Sequence, residues 1–268
     1  MLLDARNGSV KIGNTDMDYV SFGHGQKTLI MLPGLGDSLK TVRGTAHAMA
    51  MLYKEYGKNH KVYMFSRKSK LEENASIRNM AKDQREAMKK LGINKAFVVG
   101  ISQGGMIAQY LAIDYPEMVD KLVLAVTLSR PNEMTTQIIG QWLEMAAAND
   151  YKSLFIDTIE KSYTEKRTQK YRLFYPILTK IGKPRDFNRF IIQANAILCH
   201  NAYDELKKIK CPTLVIGADR DVIVGVQASR DIADRIADSK LTVYPDFGHG
   251  AYEEAKDFNA QVLEFLNM

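Results

Sequence analysis

A chain of 268 residues, 46% hydrophobic and 25% charged, is long enough for one large α/β domain carrying an insertion of some tens of residues. No stretch approaches the roughly 20 apolar residues of a membrane-spanning helix, and the N-terminal residues meet an acid at Asp4 without an apolar signal core. The net charge of +6 is scattered among acids, as in 152–170, so it implies solubility rather than a nucleic-acid or membrane partner. A cytoplasmic protein is expected. Two cysteines, Cys199 and Cys211, make neither a disulfide framework nor a metal cluster, and their apolar surroundings point to structural roles.

Taken in chain order, residues 10–12 and 17–22 read as a hairpin around Gly13-Asn14. Buried strands are predicted at 28–32, 62–65, 96–99, 121–126, 213–216 and 241–244, giving eight in all. Helices are predicted between them at 76–91, 103–115, 226–236 and 253–266. The first carries Ile77, Met80, Ala81, Gln84, Ala87 and Met88 on one face. Strands alternating with amphipathic helices predict an α/β fold, a mostly parallel sheet covered on both faces. From 129 to 203 no strand is evident, and only helical patterns such as Ile138, Ile139, Trp142, Leu143 and Ala146 appear. The chain therefore divides into a core, 1–128 and 204–268, and a helical insertion, 129–203.

Gly100-Ile101-Ser102-Gln103-Gly104 fits G-x-S-x-G, with Gly105 following. The pentapeptide is common, but its position between a buried strand and a helix is that of a nucleophile elbow. A serine hydroxyl needs an adjacent base that is oriented by a third group. Of the five histidines, His249 lies directly after the last strand, in Phe247-Gly248-His249-Gly250. His24, His47, His60 and His200 fall in positions suited to surface or packing roles. The loop after strand 213–216 offers Asp219 and Asp221. Asp221 is the expected acid, because Val222-Ile223-Val224 would bury it, and Asp219 is then a turn residue paired with Arg220; the reversed assignment is the alternative. Leu32-Pro33-Gly34-Leu35-Gly36 follows an inner strand, and with Ser102 it suggests an oxyanion hole made by the backbone N–H groups of Leu35 and Gln103.

With these motifs in the order serine, acid, histidine, the chain resembles the α/β-hydrolase fold family, in its esterase, lactonase and cofactor-free haloperoxidase neighbourhood. Cys211-Pro212-Thr213-Leu214-Val215-Ile216-Gly217 and Gly248-His249 also fall in the family's order. The resemblance spans nearly everything except the insertion, which looks like a family cap. It implies a Ser102, Asp221, His249 triad between core and cap, acting on a small molecule with no cofactor and no metal.

Two positions depart from the family pattern. Pro33-Gly34 stands where His-Gly is usual, and Phe65-Ser66-Arg67-Lys68-Ser69-Lys70 replaces an Asp-x-Arg-Gly-x-Gly loop. If that loop faces the crevice, Arg67 or Lys68 would attract an anionic substrate; otherwise it is a solvated basic loop. The expected activity is cleavage of a small carboxylic ester, thioester or lactone. Carbon–carbon bond hydrolysis, peracid formation, and ligand reception without turnover are the alternatives.

Overall fold

The computed structural model describes residues 2–268, the side chains of Leu2 and Ile181 excepted; Met1, at the head of the expected N-terminal segment, lies outside the described residues. Eight strands form one sheet: β1 (Arg6–Ile12), β2 (Thr15–Phe22), β3 (Lys27–Leu32), β4 (His60–Lys68), β5 (Ala96–Ile101), β6 (Val119–Ala125), β7 (Thr213–Ala218) and β8 (Ser239–Tyr244). Their order is β1-β2-β4-β3-β5-β6-β7-β8. β2 runs antiparallel to both its neighbours, and all pairs from β4 onward are parallel. The expected eight-stranded, mostly parallel α/β sheet is therefore present.

The helices are α1 (Ala46–Leu52), α2 (Lys54–Asn59), α3 (Ile77–Lys90), α4 (Gln103–Asp114), α5 (Glu133–Ala147), α6 (Tyr151–Ser162), α7 (Glu165–Arg172), α8 (Tyr175–Ile181), α9 (Asn188–Leu198), α10 (Val226–Arg235), α11 (Ala251–Glu254) and α12 (Phe258–Asn267). Among the described residues, α5 to α9 and a 3-10 turn at Tyr203–Lys208 carry the chain from β6 to β7 without a strand. Among the described residues no helix is long and apolar enough to cross a membrane.

Period-two alternation sends β5 side chains to two cores. Val98 packs with α3 and α4, whereas Phe97, Val99 and Ile101 pack on the opposite face with α12. Buried on both faces, a parallel strand reads as a continuous apolar run. Helix α4 is buried from Gln103 to Ile113, which explains its weak amphipathic pattern. Helix α3 begins as the sequence implies, Ser76 and Asn79 forming a reciprocal capping box.

The structure departs from the expected elements at three points. Strand β4 runs on to Lys68 because β2 pairs with it as far as Met17↔Lys68, so Arg67 and Lys68 lie in the strand and not in a solvated loop. The helix expected at 253–266 is broken at Ala255, and α11 and α12 pack separately as both Ala255 and Phe258 enter the same core. Cys199 is exposed and Cys211 half-buried; both are free thiols, so only Cys211 has the apolar setting expected of the pair.

His200 is a packing residue at 3% exposure, its Nε2 3.4 Å from Gln109 Oε1 and its ring edge-on to Tyr110. Burial pushes its pKa from 6.5 down to about 4. The unfolded chain therefore binds the proton first as pH falls. The stability tied to this neutral ring is complete above pH 6.5 and declines by roughly 3 kcal/mol as pH drops towards 4. Urea unfolding of wild type and His200→Gln over that range should show the extra acid slope in the wild type alone; parallel slopes would contradict it.

Candidate active site

The site starts at the junction of β5 and α4. Ser102 takes φ +52° and ψ −121°, a strained conformation for a residue bearing a side chain. Close backbone packing imposes it. A Cβ at Gly104 would lie 1.9 Å from the Leu32 carbonyl oxygen, and one at Gly100 would lie 2.6 Å from that of Gly104. Only glycine fits at either position. The turn is anchored from β6: Ser102 N–H donates to the Ala125 carbonyl at 2.9 Å, and Thr127 Oγ1 donates to the Ser102 carbonyl at 2.7 Å.

Gln103 is the first residue of α4, and Leu35 is the first of a 3-10 turn over Leu35–Ser38. Such positions present backbone N–H groups that no carbonyl of the same helix can accept. Pro33, Gly34 and Leu35 line one cavity with Ser102. A Cβ on Gly34 would come within 3.3 Å of Ser102 Cβ, so the loop passes directly over the serine.

Asp221 and His249 meet beside it. Asp221 Oδ2 lies 2.8 Å from His249 Nδ1, while its Oδ1 accepts from Ile223 N–H at 2.8 Å and Val224 N–H at 3.0 Å. Burial by itself would raise the pKa of this carboxyl; the His249 ring and the two amides outweigh burial and hold it below the ordinary carboxylate value. An ionised carboxylate only accepts, so Nδ1 carries the donated proton and the lone pair falls on Nε2. Asp219 instead accepts from Asp246 N–H at 2.8 Å. Arg220 pairs with Asp246 and not with Asp219, which corrects the expected turn contact. Among the described residues no hydrogen bond joins Ser102 Oγ to His249, although both line the same cavity.

That cavity holds about 340 Å³, towards the lower end for small-molecule sites. Its apolar wall comes from Met106 of α4, Ile139 and Trp142 of α5, Ile159 of α6 and Ile197 of α9, with Ile223 and Val224 beside the acid. Trp142 is fixed by its Nε1–H donating to Asp157 at 2.7 Å. Of the other aromatics in the helical segment, Phe187 and Phe190 belong to the core, and Phe155 packs against it. Among the described residues no lysine or arginine lines the cavity; Asp37 lines it, but its side chain is almost wholly buried and its carboxylate pairs with Arg67 and Arg189. A neighbouring cavity of about 330 Å³ meets it along Pro33, Gly34, Asp37 and Tyr252, and Lys40 reaches that one.

Asp37 anchors a cluster that the sequence did not reveal. Arg67, 4% exposed, donates from Nη2 to the Pro33 carbonyl at 2.6 Å and to Gln103 Oε1 at 2.9 Å; its backbone N–H reaches Asp37 Oδ2 at 2.9 Å. Arg189 of α9 reaches the same Asp37 oxygen at 3.2 Å and donates to the carbonyls of Asp37, Arg67 and Lys68. Burial pushes Arg67 down to about 10, with the Asp37 carboxylate opposing, so it remains a cation at neutral pH. Its charge is used inside the protein. Lys68 pairs with Asp83 at 3.1 Å. Neither residue is directed to an anionic substrate. The only sequence signal for Asp37 is an acid directly after a Gly-rich loop.

A family model described as the alpha/beta hydrolase fold matches residues 27–256. The chain belongs to the α/β-hydrolase family. Among its relatives, a putative carbamate hydrolase, RutD, of Caulobacter sp. (strain K31) is 30% identical over 200 residues, 72% of this chain and 73% of that protein. A 2-hydroxy-6-oxononadienedioate/2-hydroxy-6-oxononatrienedioate hydrolase of Klebsiella pneumoniae is 27% identical over 91% of this chain and 88% of its own. The crystal structure of MGS-M2, an alpha/beta hydrolase enzyme from a deep-sea metagenome library, superposes with a TM-score of 0.87 at 23% identity, covering 97% of this chain and 98% of that one. This α/β hydrolase is thus a member of a hydrolase family. Among its described residues no group of three His, Cys, Asp or Glu side chains assembles as a metal site.

Proposed function

We propose that this α/β hydrolase cleaves a small, uncharged carboxylic ester, thioester or lactone through an acyl-enzyme on Ser102, with the helical segment 129–203 acting as its cap. The observation that carries this reading is the buried Asp221–His249 pair facing a strained serine in one apolar cavity. Ser102 Oγ attacks the carbonyl carbon while His249 Nε2 takes its proton, and Asp221 fixes the tautomer and stabilises the imidazolium. Charge developing on the carbonyl oxygen is met by the N–H groups of Leu35 and Gln103, each donor contributing about 3 kcal/mol in comparable sites. Collapse of the tetrahedral intermediate breaks the bond to the leaving group, which receives the proton from His249. Water then attacks the acyl carbon with His249 as base, releasing the acid and restoring Ser102.

Relatives named as hydrolases of a dienedioate favour a second reading, carbon–carbon bond hydrolysis. A dioate carries two carboxylates. With no lining cation among the described residues, and Arg67 and Arg189 already committed to Asp37, an unpaired carboxylate in this cavity is penalised by desolvation.

Matched p-nitrophenyl esters differing by one terminal carboxylate discriminate the two. The neutral ester should have the higher kcat/KM by at least about tenfold, or about 1.4 kcal/mol. Equal rates, or preference for the carboxylate, would remove the case for a neutral substrate.

A further inference from the structure

Residues 166–185 hold seven basic side chains (Lys166, Arg167, Lys170, Arg172, Lys180, Lys183 and Arg185) and no acidic one, more positive charge than the chain's net +6. Two are neutralised: Arg167 pairs with Glu253 at 3.0 Å, and Arg172 with Glu160 and Glu165 at 2.6 Å each. The four lysines and Arg185 are exposed, and among the described residues no ion pair engages them. Acids do stand across the groove beside α7: Asp246 there pairs with Arg220, which leaves Glu254, accepting from Thr164 Oγ1 at 2.6 Å, and Asp257 opposite the five unpaired basic side chains.

Helical backbone at Leu173 carries α7 almost directly into α8. Lys166, Lys170, Phe174, Ile177 and Lys180 then follow at spacings of four, four, three and three, which aligns them on one face. Leu173, Phe174 and Ile177 are 78%, 54% and 56% exposed. The other face is already used: Thr168 is buried, Tyr171 lies 5.4 Å from the Tyr163 ring, and Tyr175 OH donates to Glu160 at 3.0 Å. The outward face is therefore apolar at its centre and cationic at both ends.

We infer that this face docks on an anionic lipid bilayer, with Leu173, Phe174 and Ile177 entering the headgroup–acyl boundary and the lysines meeting lipid phosphates. An acidic protein would engage the lysines but has no need of the exposed apolar centre; a bilayer interface takes both. Helix α6, directly before this face, contributes Thr158, Ile159 and Ser162 to the cavity wall, and Tyr163 follows it there, so docking brings the cavity beside the lipid. The inference concerns the surface and does not depend on which bond Ser102 attacks.

Co-sedimentation of the whole protein with phosphatidylcholine vesicles, with and without phosphatidylglycerol, tests it. Partitioning should be at least about tenfold stronger on the anionic vesicles and weaken in concentrated salt. The triple variant Lys166→Gln, Lys170→Gln, Lys180→Gln should lose about fivefold per lysine. The double variant Phe174→Ser, Ile177→Ser should lose about tenfold or more, from the burial of two large side chains. Both should keep the wild-type melting temperature and turnover of a water-soluble ester. Equal binding to both vesicle types, binding by folded variants that matches wild type, or no vesicle binding at all would overturn the inference. The last outcome would leave the face to an acidic protein partner.

Discussion

Ser102→Ala is expected to lower kcat for a p-nitrophenyl ester by about 10⁴-fold or more, leaving only the catalysis that the oxyanion donors and the cavity supply. Alanine keeps the side-chain Cβ in the same strained elbow, so the melting temperature should change little and the loss belongs to chemistry. Asp221→Asn should fall by about 10⁴-fold as well, because an amide facing Nδ1 favours the wrong tautomer. The two losses should not add in the double variant, since the groups act on one proton transfer. A Ser102→Ala variant retaining more than a tenth of wild-type activity would rule the serine out as nucleophile.

Asp37→Ala is expected to have the largest effect on stability. One carboxylate oxygen holds the Arg67 amide and the Arg189 guanidinium, and the Arg67 guanidinium lies 3.9 Å from it. Removing it leaves two guanidinium groups, one fully enclosed, without their counter-charge. Breaking a buried ion pair from one side costs about 3–5 kcal/mol. It also frees the loop that carries Leu35, because Arg67 is tied to the Pro33 carbonyl and Arg189 to that of Asp37. Activity should therefore fall even at temperatures where the variant is folded. Asp37→Asn keeps an acceptor for the Arg67 amide and should lie between alanine and wild type. Urea unfolding that shows less than about 1 kcal/mol of loss for Asp37→Ala would mean that the arginines find solvent or other partners.

What could be read in the sequence were features whose physics is local. The elbow is legible because glycines crowd one pentapeptide between an apolar run and a helix. The histidine and the acid are legible because each follows a strand in a parallel sheet, and such loops share one edge. The contact of Asp221 with His249, across 28 positions, follows from that topology. The Asp37, Arg67 and Arg189 cluster was hidden because its members are 30 and 122 positions apart and come from a loop, a strand end and α9. Seen in isolation, Arg67 in a Ser-Arg-Lys-Ser run reads as solvated. Thr127 was equally silent; its bond to the Ser102 carbonyl depends on β5 and β6 lying side by side. The break at Ala255 places Ala255 and Phe258 in one core, a packing requirement that the apolar spacing of 253–266 does not display. Over 152–170 acids mask the basic run that begins at Lys166, and the exposure of its apolar neighbours is a tertiary property.

If Ser102 becomes acylated in turnover, covalent capture will trap it. Wild-type protein treated with an alkyl fluorophosphonate, then measured by intact mass and peptide mapping, should carry one adduct on Ser102 and lose its esterase activity in proportion. Ser102→Ala should stay unmodified. An unlabelled wild type with full activity, or an adduct on another residue that accounts for the loss, would contradict the acyl-enzyme mechanism.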